Sequence, residues 1–306
     1  LFVGVIIDRF GSRLILIMAL LLCILGSFLF AFTDQLYVAC LARFIVGVGS
    51  AFAFVGVLRL ASSWLLAEHF PFFVGIATAL GMLGALFGQR DMSHWVGQVG
   101  WSQVVLVSAM IGCAIVPFFI LFVREKRAVT AESLNTTQTM MGSLRAVLSN
   151  RHVLRAGFIG CVLFLSLSVF ADVLGVSFIH AEEHIGVERS ATINSMIYLG
   201  WLIGAPLVGY LSECFNVRRV MLMISAFFAM LCFTFILYVP IASTTLLMAL
   251  LFLFGLFCSV EVLCFALAKE SVPEHQIATA LGVVNCIIMM GGMVLLPLIG
   301  SCLDIV

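Results

Sequence analysis

Nine times in its 306 residues the chain runs through a long apolar stretch almost free of charge. Each run is about 20 residues long, the length a helix needs to cross a hydrocarbon core roughly 30 Å thick. In lipid a spanning segment has to satisfy its own backbone hydrogen bonds, so runs of this kind dictate helices. The spans read as residues 14–32, 36–58, 71–89, 102–123, 156–179, 190–211, 220–239, 244–267 and 277–299, with 1–7 as the tail of a further one. Composition agrees, at 63% hydrophobic and 10% charged, against about 45–50% and about 25% in a soluble domain. A water-soluble globule is excluded, and the expected fold class is all-α, a polytopic membrane protein.

Other classes fall away on composition and spacing. Net charge is zero and no basic run is long enough for nucleic acid, so that partner is set aside. The ten cysteines form no Cys-x-x-Cys pair and lie mostly within apolar runs, which reads as small buried hydrophobes. His180-Ala-Glu-Glu183-His184 matches an inverted zinc-protease pattern. It falls where a span leaves the membrane and has no third ligand nearby, so it reads as a solvated helix end and no metal site is expected. Asn135-Thr-Thr is a glycosylation sequon by chance. Asn285 and Gln103, polar groups inside spans, are expected to bond across helices.

The chain also repeats itself. Shifting it by 205 positions lays Gly4, Asp8, Phe10, Gly11 and Arg13 on Gly209, Glu213, Phe215, Asn216 and Arg218. A second echo pairs Glu68-His69 and Ile76–Gly81 with Glu274-His275 and Ile277–Gly282. Two related halves in one apolar chain mark a repeat-built transporter. The halves are residues 1–123 and 156–306, joined by a polar linker at 124–155 whose end, Gly142–Arg155, reads as a surface helix. Residues 59–69 read as an amphipathic link at the membrane surface.

Orientation follows from the basic residues. One set of alternate loops holds Arg9, Arg13, Arg59, Arg124, Lys126, Arg127, Arg145, Arg151, Arg155, Arg218, Arg219 and Lys269, and the other only Arg90 and Arg189. That bias puts the first set, with the linker, in the cytoplasm.

Gly4-x-x-x-Asp8-Arg9-x-Gly11-x-Arg13 resembles the signature loop of the major facilitator superfamily, and Gly209–Arg219 looks like its second-half counterpart, departing from it at Cys214 where the first half has Arg9. Arg43-x-x-x-Gly47-x-Gly49-x-Ala51 resembles the fourth-helix motif, and Gly81, Gly84 and Gly88 fit the fifth-helix signature, which lacks its usual proline here. The resemblance implies a two-bundle helical fold. Counted against it, the chain begins late in helix 2 and stops after helix 11, so the expectation is an incomplete fold of about nine full spans plus the tail of one.

The resemblance also implies a job for the signature loop. It would form a conformational latch of Gly4, Asp8, Arg9, Gly11 and Arg13, with Asp8 facing the start of helix 11 near Ala278 and Arg9 and Arg13 adding pairs there. Glu213 and Arg218 would repeat it. Gly4 would allow close packing and Gly11 the turn.

Charges within spans are functional candidates by default, since one at mid-membrane costs at least about 2.5–3.5 kcal/mol on insertion scales. Arg43, Asp172 and Glu261 qualify. By the resemblance they lie on helices 4, 7 and 10, which line the central cavity. Arg43 would bind an anionic part of the substrate or neutralise an acid, and Asp172 or Glu261 would couple protons.

The reading is a secondary transporter, not an enzyme, moving a small organic solute across a lipid bilayer by alternating access. It needs no bound cofactor, and protons are the expected driving ion. The stretch Trp64 to Gly84 is similar to bacterial anion:cation and hexose-phosphate symporters, which points to a bacterial inner membrane. The alternatives are a transporter-like membrane sensor and a nonfunctional fragment of a transporter.

Overall fold

The computed structural model describes residues 2–88, 93–123, 140–183, 185–215, 217–239 and 243–303, and these are helical apart from short connections. The helices are α1 (Phe2–Phe10), α2 (Ser12–Ala31), α3 (Leu36–Trp64), α4 (Phe70–Phe87), α5 (Ser93–Val99), α6 (Trp101–Phe122), α7 (Met140–Leu148), α8 (Arg151–Leu165), α9 (Gly175–Glu183), α10 (Val187–Asn194), α11 (Met196–Phe215), α12 (Arg218–Tyr238), α13 (Thr244–Cys258), α14 (Val262–Glu270) and α15 (Ile277–Leu303). Among the described residues nine stretches are long and apolar enough to cross a membrane. Arg90, Arg124, Lys126, Arg127, Asn135, His184 and Asn216 lie outside the described residues.

Local chemistry sets the helix ends. Gly11 has φ 87° and Gly100 φ 84°, so α2 and α6 each begin at a residue in the left-handed region that glycine alone enters freely. The Asn150 side chain accepts from the His152 N–H at 2.9 Å and caps α8, while its amide donates to the Ser271 carbonyl at 2.9 Å. That cap corrects one expectation. The stretch Gly142–Arg155 is two helices broken at Asn150, and Arg151 and Arg155 belong to the spanning α8.

A second correction concerns Arg59. The span read as residues 36–58 does not end at Leu58 but continues to Trp64, which places Arg59 inside α3 with 3% of it exposed. Apolar runs mark the part of a helix in hydrocarbon, and a helix continues past it wherever the backbone ladder continues.

The chain divides into two compact units. The first comprises Leu1–Leu65, Phe87–Ser149 and Val272–Val283. Here α2 packs along α3 and α6, burying Leu16, Ala19, Ile24, Ala42, Val55 and Leu58. Gly49 is part of this seam, lying against the Ala19 carbonyl of α2.

The second unit comprises Leu66–Leu86, Asn150–Ser271 and Val284–Val306. Its core gathers around the fully buried Trp201 with Ile197, Leu251, Phe254 and Phe170, and the Phe170 ring meets Phe233 edge-on at 5.3 Å. Gly200 and Gly204 bring α11 against α13, the close helix contact that small residues permit.

Two spans change helix type midway. Between α8 and α9, residues Ser166–Leu174 wind as a π-helix, a rare form found frequently at functional sites. Between α13 and α14, Ser259–Glu261 form a 3-10 turn. Each irregular segment carries one of the two intramembrane acids, Asp172 and Glu261.

Candidate functional site: two acidic clasps and three intramembrane charges

The last turn of α1 presents Asp8 to the first turn of α15. Its Oδ2 accepts from the Thr279 N–H and from the Thr279 hydroxyl, both at 2.8 Å, and its Oδ1 from the Ala278 N–H at 3.2 Å. The first N–H groups of a helix have no partner within it and carry a partial positive charge, so a carboxylate is their natural complement. Gly4, one turn earlier, makes the approach possible: a Cβ there would run into the Ala278 carbonyl.

Arg59 completes the arrangement, with its Nε 3.3 Å from Asp8 Oδ1. One terminal nitrogen reaches the Ser62 hydroxyl at 3.3 Å, and the other is buried with no partner among the described residues. Burial pushes the Asp8 carboxyl above its ordinary range, while the Arg59 guanidinium and the donors of Thr279 and Ala278 pull the other way.

The second half rebuilds the same contact with different parts. Glu213, in the last turn of α11, accepts from the Phe72 N–H at 3.3 Å through Oε1, and its Oε2 lies 3.3 Å from His69 Nδ1. Phe72 stands in the first turn of α4, as Ala278 and Thr279 stand in the first turn of α15. A single 3-10 turn precedes each of these helices, Ala67–His69 and Glu274–Gln276. Gly209 takes the part of Gly4, since a Cβ on it would lie 2.6 Å from the Pro71 carbonyl.

The basic residues of the first loop do not join its contact as expected. Arg9 lies over the Phe10 ring at 5.8 Å, and Arg13 donates to the Ile120 carbonyl at 2.8 Å, closing the end of α6. Arg218, the counterpart of Arg13, pairs with Glu270 and also lies within electrostatic reach of Glu213. Cys214 in the place of Arg9 therefore removes nothing from the Glu213 contact.

The three intramembrane charges have separate surroundings. Arg43 is exposed, with its guanidinium 5.0 Å from the Phe30 ring centroid. Asp172 is exposed and accepts a hydrogen bond from the Tyr198 hydroxyl. Glu261 is 4% exposed, and among the described residues its carboxyl has no hydrogen-bond or ion-pair partner. Asn285 and Gln103 likewise make no cross-helix hydrogen bond among the described residues, against expectation. His180 binds the Ile185 carbonyl through its ring, and no cluster of three metal-ligating side chains exists among the described residues.

Arg59, Tyr198 and His69 were not among the candidate site residues read from the sequence, although His69 belongs to its internal echo. For Arg59 the signal was present but misassigned, since a lone arginine directly after an apolar run reads as a loop residue.

Residues 1–297 match the Major Facilitator Superfamily. The chain belongs to that family. As a member it is a multi-pass membrane transport protein rather than an enzyme. It is 26% identical to the lysosomal dipeptide transporter MFSD1 of Danio rerio, over 99% of this chain and 68% of the relative. Two solved structures share the superfamily fold. A crystal structure of the human organic anion transporter MFSD10 (TETRAN) aligns with a TM-score of 0.63 at 16% identity, covering 95% of this chain and 71% of the other. The proton:xylose symporter XylE bound to 6-bromo-6-deoxy-D-glucose aligns with a TM-score of 0.62 at 16% identity, covering 95% and 73%.

Proposed function

We propose that this superfamily member carries a small organic solute across a membrane by alternating access, with residues 1–123 and 156–306 as the moving bundles and Asp8 and Glu213 as two clasps that open and close. The observation that carries this reading is the grip of Asp8 on Ala278 and Thr279, which joins segments 270 and 271 positions apart through three hydrogen bonds. A carboxylate on a helix start is a reversible contact, since water can replace every partner when the clasp opens. The repeat of the contact at Glu213 supports a paired device over a single structural bridge.

Within the membrane, Arg43 is the group for an anionic part of the solute, and Glu261 is the group for a coupled proton. Burial without any partner supports the assignment of Glu261, because a carboxyl so placed changes its charge at a large cost unless the surroundings open. The relative that transports dipeptides and the neighbour that transports organic anions both favour a solute bearing a carboxylate. The arginine and lysine bias supports a cytoplasmic linker and cytoplasmic clasps, and the likeness of the stretch Trp64 to Gly84 to bacterial symporters supports a plasma membrane, the bacterial inner membrane in particular.

The test is uptake of a panel of labelled carboxylates and dipeptides into liposomes holding the full-length protein. Uptake lost on replacing Arg43 by Gln supports the reading. Saturable binding without uptake by any member would turn it into that of a sensor.

A further inference from the structure

We propose that Asp172, held by Tyr198 on the π-helical segment, is a subsite for an ammonium group of the solute; this rests on the transport reading above. Asp172 lies seven residues before Ile179, where the apolar run of its span ends, so roughly 10 Å of helix at 1.5 Å per residue separates it from that end. At such depth an ionised carboxylate needs water, a cation or a ligand beside it. Among the described residues no Lys, Arg or His pairs with it.

The clasp aspartate of this chain looks different. Asp8 is 9% exposed and enclosed by four donors, whereas Asp172 is exposed with one donor, the Tyr198 hydroxyl on Oδ1. That leaves the second oxygen of Asp172 open.

The open carboxylate is nevertheless held in place. Tyr198 is 2% exposed, so its ring is fixed by packing. One turn earlier the fully buried Asn194 donates its amide to the Ala171 carbonyl at 2.7 Å, which anchors the residue next to Asp172. Gly175 provides the room, since a Cβ there would run into the Asn194 side-chain oxygen. A preorganised acceptor with one free face and a negative charge fits a positively charged donor. A divalent metal is a poor fit, because it requires several ligands and only one carboxylate is offered. A primary ammonium needs one charged acceptor and fits.

The test uses three primary amines, ethanolamine, alanine amide and alanyl-alanine, each beside its N-acetyl derivative. The readout is the concentration dependence of the melting temperature of the full-length protein in detergent. At least one amine is expected to raise it while its acetylated form does not. Asp172→Asn should weaken that response at least tenfold, Tyr198→Phe should weaken it less, and Asp172→Glu should keep part of it. Equal responses to amine and acetylated amine, an unaltered response in Asp172→Asn, or no response to any amine would each overturn the ammonium subsite. Should Asp172→Asn fail to fold, Tyr198→Phe and Asp172→Glu decide by the same amine-against-acetyl comparison. Failure here leaves uptake of carboxylates untouched, so it is separable from failure of the transport reading.

Discussion

Arg59 Nε lies 3.3 Å from Asp8 Oδ1, and the two side chains are 3% and 9% exposed. An ion pair this deeply buried ties α3 to the same carboxylate that grips α15. Removing one partner of such a pair costs about 3–5 kcal/mol, because the other charge is left buried and alone. Arg59→Ala should therefore lower the melting temperature of the purified protein by many degrees. Asp8→Asn combined with Arg59→Ala should cost less than the sum of the two single changes. Additive losses in that double-mutant cycle would show the two groups to be energetically independent.

Gly4 and Gly47 make a matched comparison. A Cβ at Gly4 meets the backbone of Ala278, whereas a Cβ at Gly47 meets nothing within 4 Å. Gly4→Ala is expected to slow transport and push α1 off the start of α15, and Gly47→Ala to leave both nearly unchanged. Uptake rates for the two variants check this, and equal effects would contradict it.

The clasps should be unequal in strength. Asp8 receives three hydrogen bonds and a guanidinium, and Glu213 receives the Phe72 N–H and faces His69. Hydrogen bonds to charged groups contribute about 1.5–3 kcal/mol each, so Asp8→Asn should perturb stability and transport more than Glu213→Gln. Melting curves and uptake of both variants give the order.

Glu261→Gln replaces a buried carboxyl by a neutral group of the same shape. If Glu261 couples protons, uptake by the variant should lose its dependence on pH while the folded protein stays as stable as before. A pH profile that matches the unaltered protein would remove Glu261 from coupling.

The fold was legible because lipid imposes one rule on every span. Nine apolar runs became nine spanning stretches, with ends displaced only where helices such as α3 and α8 continue into polar residues. Asp8 and Gly4 were legible for a different reason, since the internal repeat singled them out and the family resemblance gave Asp8 its partner. Arg59 was hidden because charge ends an apolar run whether or not the helix stops. Tyr198 was hidden because its value lies in a contact across 26 positions, with a π-helical turn that no residue pattern announces. Arg9 and Arg13 misled because basic residues next to a latch need not belong to it.

The most direct measurement is the distance between spin labels at Arg9 and His275, two exposed positions flanking the Asp8 contact, in a full-length protein freed of its native cysteines. The account predicts a short and a long population whose ratio shifts with transported solute, with Asp8→Asn favouring the long one. A single distance, unmoved by solute and by Asp8→Asn, would contradict it.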